Sequence, residues 1–506
     1  MSHQALWVRG ALFLSIAGFL SKVLGMAYRV PLQNIAGDEG LYIYQQIYPI
    51  LSIAIILSVY SLPSAISHIA VNDHKSNVVR IPHVGMLFMV LFGAGMAFYI
   101  AIFLSADLLA AWMGDPELSR ALKVAGGMFL LIPVTALFRG LFQSLSLSHI
   151  VAASQIIEQF FRVIGIIGAT FFVVYVGRGS LYAIGSYTAW ATIGGTVIAS
   201  FALLWLYKRN AHRFSRNRLN LNKRVIQSLL IGMAIYSVNY MLHLVLQLVD
   251  VFTLVELLET YAYRFDEAKV EKGVFDRSHS LIQLGLVLGS SLALALIPEV
   301  HQNHMKQGLA FKWTFVLSLS ASVGLIAVMP YLNPLLFKTK DGMLSIQLMM
   351  LLVFLLSMTV VVSVFLQAYD YRVKQFKWIL LMVGLKYALN LLLIPTFGLI
   401  GASVAYIGAV GLLLAILLWK WKTITKIKIS YGFIIRSLTL ISVMGIVVYG
   451  MQSLFNVSDR LLMLPIVIGL CLLGVVMIIM GLWFLNIFSK KEWEHVLGKH
   501  RERGSS

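Results

Sequence analysis

Apolar runs of about twenty residues or more dominate this chain, and short polar stretches interrupt them at regular intervals. The run at 461–488, LLMLPIVIGLCLLGVVMIIMGLWFLNIF, is long enough to cross about 30 Å of hydrocarbon as a helix. The same pattern predicts fourteen spans, at 7–30, 41–70, 82–106, 121–147, 150–176, 181–207, 225–257, 278–298, 312–333, 343–368, 374–397, 399–419, 431–453 and 461–487. Alternating strands of about ten residues, the mark of a membrane barrel, are missing from the sequence. The predicted fold class is therefore an all-α polytopic membrane protein.

Composition agrees, since 59% of the 506 residues are hydrophobic and 12% are charged, against about 25% charged in soluble domains. The first span at 7–30 has no small-residue cleavage site after it, so it is expected to stay uncleaved. A net charge of +19 would suggest nucleic acid in a soluble protein. Here the basic residues sit in short connections and report orientation instead, so no nucleic-acid partner is expected. YKRNAHRFSRNRLNLNKR (207–224), YDYRVKQFK (369–377), KWKTITKIKIS (420–430) and the tail SKKEWEHVLGKHRERGSS (489–506) all follow even-numbered spans. GDEG (37–40), MGDPELS (113–119) and ETYAYRFDEAKVEKGVFD (259–276) follow odd-numbered ones and are acidic or near neutral. Both termini are then cytoplasmic. Trp112, Trp205, Trp313, Trp419 and Trp483 fall near span ends, as an aromatic belt requires.

An internal repeat sets the domain plan. LFQSLSLSHIVAASQIIEQFFRVIG (141–165) matches FLQAYDYRVKQFKWILLMVGLKYAL (365–389) at an offset of 224, with Gln143 on Gln367 and Arg162 on Lys386. A parallel repeat must advance by an even number of spans. The expected organisation is thus two pseudo-symmetric six-helix lobes, 1–207 and 225–420, joined by a basic cytoplasmic linker, 208–224. Two extra helices (421–487) and a cytoplasmic tail (488–506) follow. Paired bundles of this kind are a transporter plan with the site near the membrane midplane.

Charges inside spans are costly and face a bundle interior or a wet cavity. Span 5 carries Glu158 and Arg162 on one helical face, with Gln155 and Gln159 beside them. Lys22 and Arg29 share a face of span 1, Arg139 and Gln143 stand four residues apart on span 4, and Lys386 and Asn390 do so on span 11. The deep charges are mainly cationic, which suits an anionic ligand, and guanidinium in particular suits phosphate. In span 7, His243, Gln247 and Asp250 share a face. Asp250 is readable as a protonated structural acid, as a partner for one of the cations, or as a coupling site for a proton or sodium ion. Cys471 stands alone in an apolar run. The chain has no Gly-x-x-x-x-Gly-Lys-Ser/Thr phosphate loop, and no enzymatic chemistry, metal or cofactor is expected.

Four stretches carry a family pattern: SKVLGMAYRVPLQNIAGDEGLYIYQQIYP (21–49), SLPSAISHIA (61–70), FRGLFQSLSLSHIVAASQIIEQFFRV (138–163) and KGVFDRSHSLIQLG (272–285). Together they resemble the polysaccharide-biosynthesis and stage V sporulation protein B branch of the MOP exporter superfamily, related to the MurJ-type lipid II flippases. The resemblance implies a MATE/MurJ-like fold and alternating access for an undecaprenyl-pyrophosphate-linked saccharide in a bacterial cell membrane. It also implies that Lys22 and Arg29 meet the diphosphate, with lysine standing at 22 where many relatives carry arginine. The last two spans would hold the lipid tail.

The residues expected to serve the substrate are Lys22, Arg29, Arg139, Gln143, Glu158, Arg162 and Lys386, with Asp250 for a coupling ion (sodium or proton). The expected partners are an anionic lipid-linked saccharide and membrane lipids. A cation-coupled multidrug antiporter of the same superfamily is the alternative, and would call for an acidic cavity. A non-transporting scaffold would not need charges buried in several spans.

Overall fold

The computed structural model describes residues 23–25, 27–73, 78–80, 84–177, 179–211, 214, 223–295, 304–369, 371–427, 429–489 and 492–493. Lys22, most of the linker at 208–224 and the tail from 494 onward lie outside the described residues. Helix accounts for nearly everything described. The exception in regular structure is an antiparallel hairpin of β1 (Val71–Asp73) and β2 (Val78–Arg80), with Asn72 opposite Val79.

Eleven helices among the described residues are long and apolar enough to cross a membrane. The difference from the fourteen predicted spans has identifiable origins. Predicted span 1 lies outside the described residues up to residue 22, and its last part joins span 2 in one helical run, Val23–Ile69; spans 11 and 12 fall on another, Lys374–Thr425. Neither run is regular throughout. The backbone leaves the helical region at Gly37 (φ 70°, ψ −173°) and at Gly398 (φ 56°, ψ −133°), both close to positions where the pattern puts connections. These dihedrals belong to glycine, because a Cβ collides with the neighbouring peptide groups there. At Gly398 a Cβ would also stand 3.1 Å from the ring of Tyr261. Predicted span 8 begins earlier than expected, in a helix Phe265–Ala295 whose first half is highly charged.

In chain order the helices are α1 (Arg29–Ile56), α2 (Leu62–Ile69), α3 (Val84–Trp112), α4 (Ser119–Gly126), α5 (Ile132–Ser144), α6 (Ser148–Phe171), α7 (Ala183–Asn210), α8 (Lys223–Tyr261), α9 (Phe265–Ala295), α10 (His304–Phe337), α11 (Met343–Met349), α12 (Leu351–Gln367), α13 (Arg372–Thr425), α14 (Tyr431–Ser453) and α15 (Arg460–Phe484). A π-helical turn, Leu57–Ser61, joins α1 to α2. Prolines inside α1, α10, α13 and α15 are tolerated because packed neighbours re-satisfy the freed backbone groups.

Two compact units make up the chain, one from Met1–Asp276 with Lys386–Gly398, the other from Arg277–Leu385 with Leu399–Ser506. In unit 1, α6 packs closely along α7, because Gly195 lets the backbones approach. A Cβ there would lie 2.8 Å from the Glu158 carbonyl oxygen and 3.0 Å from the Arg162 nitrogen. In unit 2, α10 is the axis on which α14 and α15 pack, with Trp313, Phe433, Leu440, Met444 and Leu470 in the core. Trp313 is therefore not a belt residue. It is buried and stacks on Phe488 at 4.2 Å, whereas Trp112, Trp205, Trp419 and Trp483 are exposed as an interfacial belt requires.

The repeated stretches start their helices in register. Arg162 lies fourteen residues into α6 and Lys386 fourteen residues into α13, each helix following a short turn after α5 and α12 respectively.

Candidate functional site

Most of the buried charges lie in unit 1, and helix geometry brings several of them to their partners. On α6, Glu158 and Arg162 stand one turn apart, and the Arg162 guanidinium donates to Glu158 Oε1. From α5, Arg139 Nη2 donates to the other carboxylate oxygen at 2.6 Å. Thr196 on α7 donates to Glu158 Oε1 at 3.0 Å. Arg139 spends its remaining directions on the protein too: Nε donates to Ser154 Oγ at 3.0 Å, and Nη1 to the Ser58 carbonyl in the π-turn at 3.4 Å. Arg139 is fully buried, Glu158 and Arg162 nearly so.

The two guanidinium groups thus differ. Arg139 is anchored through all its nitrogens to two elements, α6 and the π-turn, while Arg162 Nε makes no hydrogen bond among the described residues. Arg29, at the start of α1, is also fully buried, with its guanidinium 4.4 Å from the centre of the Tyr48 ring. Tyr28 lies within electrostatic reach of both Arg29 and Arg162. Its hydroxyl bonds that of Tyr44, and the two rings meet edge to face. Two guanidinium groups, Arg139 and Arg162, thus share the one carboxylate of Glu158.

A second group of charges is balanced. Lys386 on α13 donates to Asp250 Oδ1 on α8 at 2.5 Å and to Asn390 Oδ1 at 2.9 Å. Asn390 Nδ2 donates to Asp250 Oδ1 at 3.0 Å and to Thr253 Oγ1 at 2.9 Å. Asp250 Oδ2 has no hydrogen-bond partner among the described residues. His243 and Gln247 occupy the same face of α8 as the sequence predicts, and bond each other at 3.3 Å.

Sequence reasoning did not single out a neighbouring pair. Lys272 Nζ bonds both oxygens of Asp276, at 2.7 and 2.6 Å, and both residues are buried. The signal was present as an i,i+4 spacing in KGVFD, but it fell in what reads as a connection before span 8. Asp276 lies within electrostatic reach of Asp250 and Arg29, and Lys386 of Lys272. Of the residues expected to serve the substrate, Gln143 stands apart from all of these: it is exposed at the end of α5.

A further network links the connections at one end of unit 1. Tyr42 and Tyr182 both donate to Asp115 Oδ2, at 3.0 and 2.5 Å. Lys269 bonds Glu39 at 3.0 Å, Asp266 at 3.0 Å and the Tyr182 hydroxyl at 3.3 Å. Burial alone would lower the Lys269 ammonium, but hydrogen bonds with Asp266, Glu39 and Tyr182 hold it above its ordinary value.

Fold and buried charge together define an integral membrane protein of the transporter type, with a polytopic helical scaffold and ionised groups inside its spans. The chain belongs to the polysaccharide biosynthesis protein family, whose model matches residues 7–304. It is 35% identical over 413 residues to the uncharacterized membrane protein YabM of Bacillus subtilis (strain 168), covering 79% of this chain and 77% of that one. It is 24% identical over 214 residues to the lipid II flippase MurJ of the same organism, covering 40% of this chain and 39% of MurJ. A solved structure of the lipid II flippase MurJ in an inward closed conformation superposes with a TM-score of 0.70 at 14% identity. That match spans 94% of this chain and 99% of the other, a likeness of fold.

Proposed function

We propose that this protein is a flippase that moves an undecaprenyl-pyrophosphate-linked saccharide, a cell-wall or polysaccharide precursor, across the bacterial cell membrane by alternating access. The observation that carries this reading is the surplus of buried guanidinium at Glu158, where Arg139 and Arg162 share one carboxylate, with Arg29 buried in the same unit. Two guanidinium groups on one carboxylate leave a net positive charge that an anion offsets, and arginine presents a planar fork that matches phosphate oxygens. Arg162 and Arg29 take the diphosphate, with Lys22 of the first span assisting. Arg139 and Glu158 hold Arg162 in place, and Gln143 meets the saccharide from the end of α5. Asp250, with Lys386, is the coupling acid.

The lobes at 1–207 and 225–420 exchange access, with both termini cytoplasmic. The chain moves its substrate without making or breaking a covalent bond. Kinship with a protein named lipid II flippase supports the substrate class. An antiporter for organic cations would need the opposite sign of buried charge. The test is transport in reconstituted vesicles, using a fluorescent undecaprenyl-pyrophosphate saccharide and a quencher confined to one side. The reading requires protein-dependent exposure of the lipid to the quencher, abolished in Arg162→Met. Export of an organic cation dye with no movement of the anionic lipid would refute it.

A further inference from the structure

Asp250 is the coupling acid of the proposed function, and its surroundings say which cation it serves. Two oxygens converge on Lys386 Nζ, Asp250 Oδ1 and Asn390 Oδ1, with Thr253 Oγ1 bonded to the Asn390 amide nitrogen beside them. These are hard donors of the kind alkali and alkaline-earth cations take. Yet the place a metal ion would fill is already held. Lys386 Nζ lies 2.5 Å from Asp250 Oδ1 and 2.9 Å from Asn390 Oδ1, so a carboxylate and an amide oxygen chelate the ammonium. Asn390 is fixed in that role by its own bonds to Asp250 and Thr253. Lys386 and Asn390 are fully buried, and Asp250 nearly so.

The charge balance points the same way. Asp250 has Lys386, and the nearby Asp276 has Lys272 on both its oxygens. A sodium ion added here would bring a second positive charge to a carboxylate that already carries one, with another ammonium close by and little water to screen them. We propose that Lys386 is a tethered cation that fills the sodium position at Asp250, so that the protein binds no sodium there, and that removing the lysine side chain creates a sodium site. The inference rests on the coupling role given to Asp250 above. It makes Lys386 the residue that sets cation specificity.

The test is thermal unfolding of purified protein in sodium chloride against choline chloride, which does not involve the lipid substrate. The wild-type midpoint is expected to be the same in both salts. Lys386→Ala removes the ammonium and its stem and leaves Asp250 uncompensated, so its midpoint falls in choline. Sodium, entering the vacated position through the free Asp250 Oδ2, raises it by roughly 2 °C or more. The double variant Asp250→Asn/Lys386→Ala has no charge to satisfy and responds equally to both salts.

A sodium-specific shift in the wild type would overturn the proposal, and so would the same midpoint for Lys386→Ala in both salts. Should Lys386→Ala be recovered in neither salt while the double variant folds, the proposal also fails, because an ion able to replace the ammonium would have rescued it. None of these outcomes bears on flipping: loss of anionic-lipid transport with the sodium pattern intact would refute the proposed function and leave the tethered cation standing.

Discussion

Arg139 and Arg162 share one carboxylate, and the structure assigns them unequal work. Replacing Arg139 with methionine removes a charge-assisted bond to Glu158 at 2.6 Å and two further bonds, to Ser154 and to the Ser58 carbonyl. A bond to a charged partner contributes about 1.5–3 kcal/mol and each of the others about 0.5–1.5 kcal/mol, so the total is roughly 2.5–6 kcal/mol. Replacing Arg162 removes one bond to Glu158, which keeps Arg139 and Thr196. That cost is about 1.5–3 kcal/mol, and relief of the repulsion between two guanidinium groups lowers it further. Arg139→Met should therefore melt at a clearly lower temperature than Arg162→Met. Binding of an anionic diphosphate should suffer most in Arg162→Met. Thermal unfolding followed by intrinsic fluorescence in detergent, with and without undecaprenyl pyrophosphate, separates the two effects. The reasoning fails if Arg162→Met destabilises the protein as much as Arg139→Met, or if Arg139→Met melts like the wild type.

The close packing of α6 on α7 predicts that Gly195→Ala lowers the unfolding midpoint, since its Cβ would lie 2.8 Å from the Glu158 carbonyl oxygen; overpacking of this kind costs roughly 1–3 kcal/mol. Gly194→Ala, where the added carbon has open space, is the control, and equal midpoints for the two variants would contradict the packing argument. At the other end of the chain, the Glu492 carboxyl is partly buried, which alone would raise it. Hydrogen bonds from Lys312 and Ser489 outweigh that and hold it below its usual range. A depressed carboxyl stabilises docking above its unfolded value, and that contribution is lost as pH falls through the folded one. Trp493, packed edge-on to Trp313 at 5.4 Å, should thus stay shielded from acrylamide at neutral pH and become quenchable only in acid below the ordinary carboxylate range. Release already at mildly acidic pH would show that the pair does not hold the segment.

Local spacing was legible in the sequence and long-range pairing was not. The i,i+4 relation of Glu158 and Arg162 follows from 3.6 residues per turn, and the pair forms as the spacing requires. That Arg139 competes for the same carboxylate depends on how α5 lies against α6, which periodicity does not encode. Asp250 and Lys386 are separated by 136 residues, and their pairing waits on tertiary packing of α13 against α8. The apolar pattern located the spans well, because twenty-residue runs have few other uses. It misjudged α9, where a strongly charged first half reads as a connection. Lys272 and Asp276 neutralise each other there, which lets the helix start at Phe265 and bury both. Trp313 was misread for a related reason: proximity to a span end suggests an interfacial ring, whereas the segment after α15 folds back to cover it.

The central claim is that the buried guanidinium groups of Arg29, Arg139 and Arg162 receive an anionic diphosphate. Native mass spectrometry of the purified protein with undecaprenyl pyrophosphate, lipid II and an organic cation dye tests it most directly. The account predicts retention of both anionic lipids in preference to the dye, with binding lost in Arg162→Met while that variant stays folded. Preferential retention of the dye, or lipid binding undiminished by Arg162→Met, would contradict it.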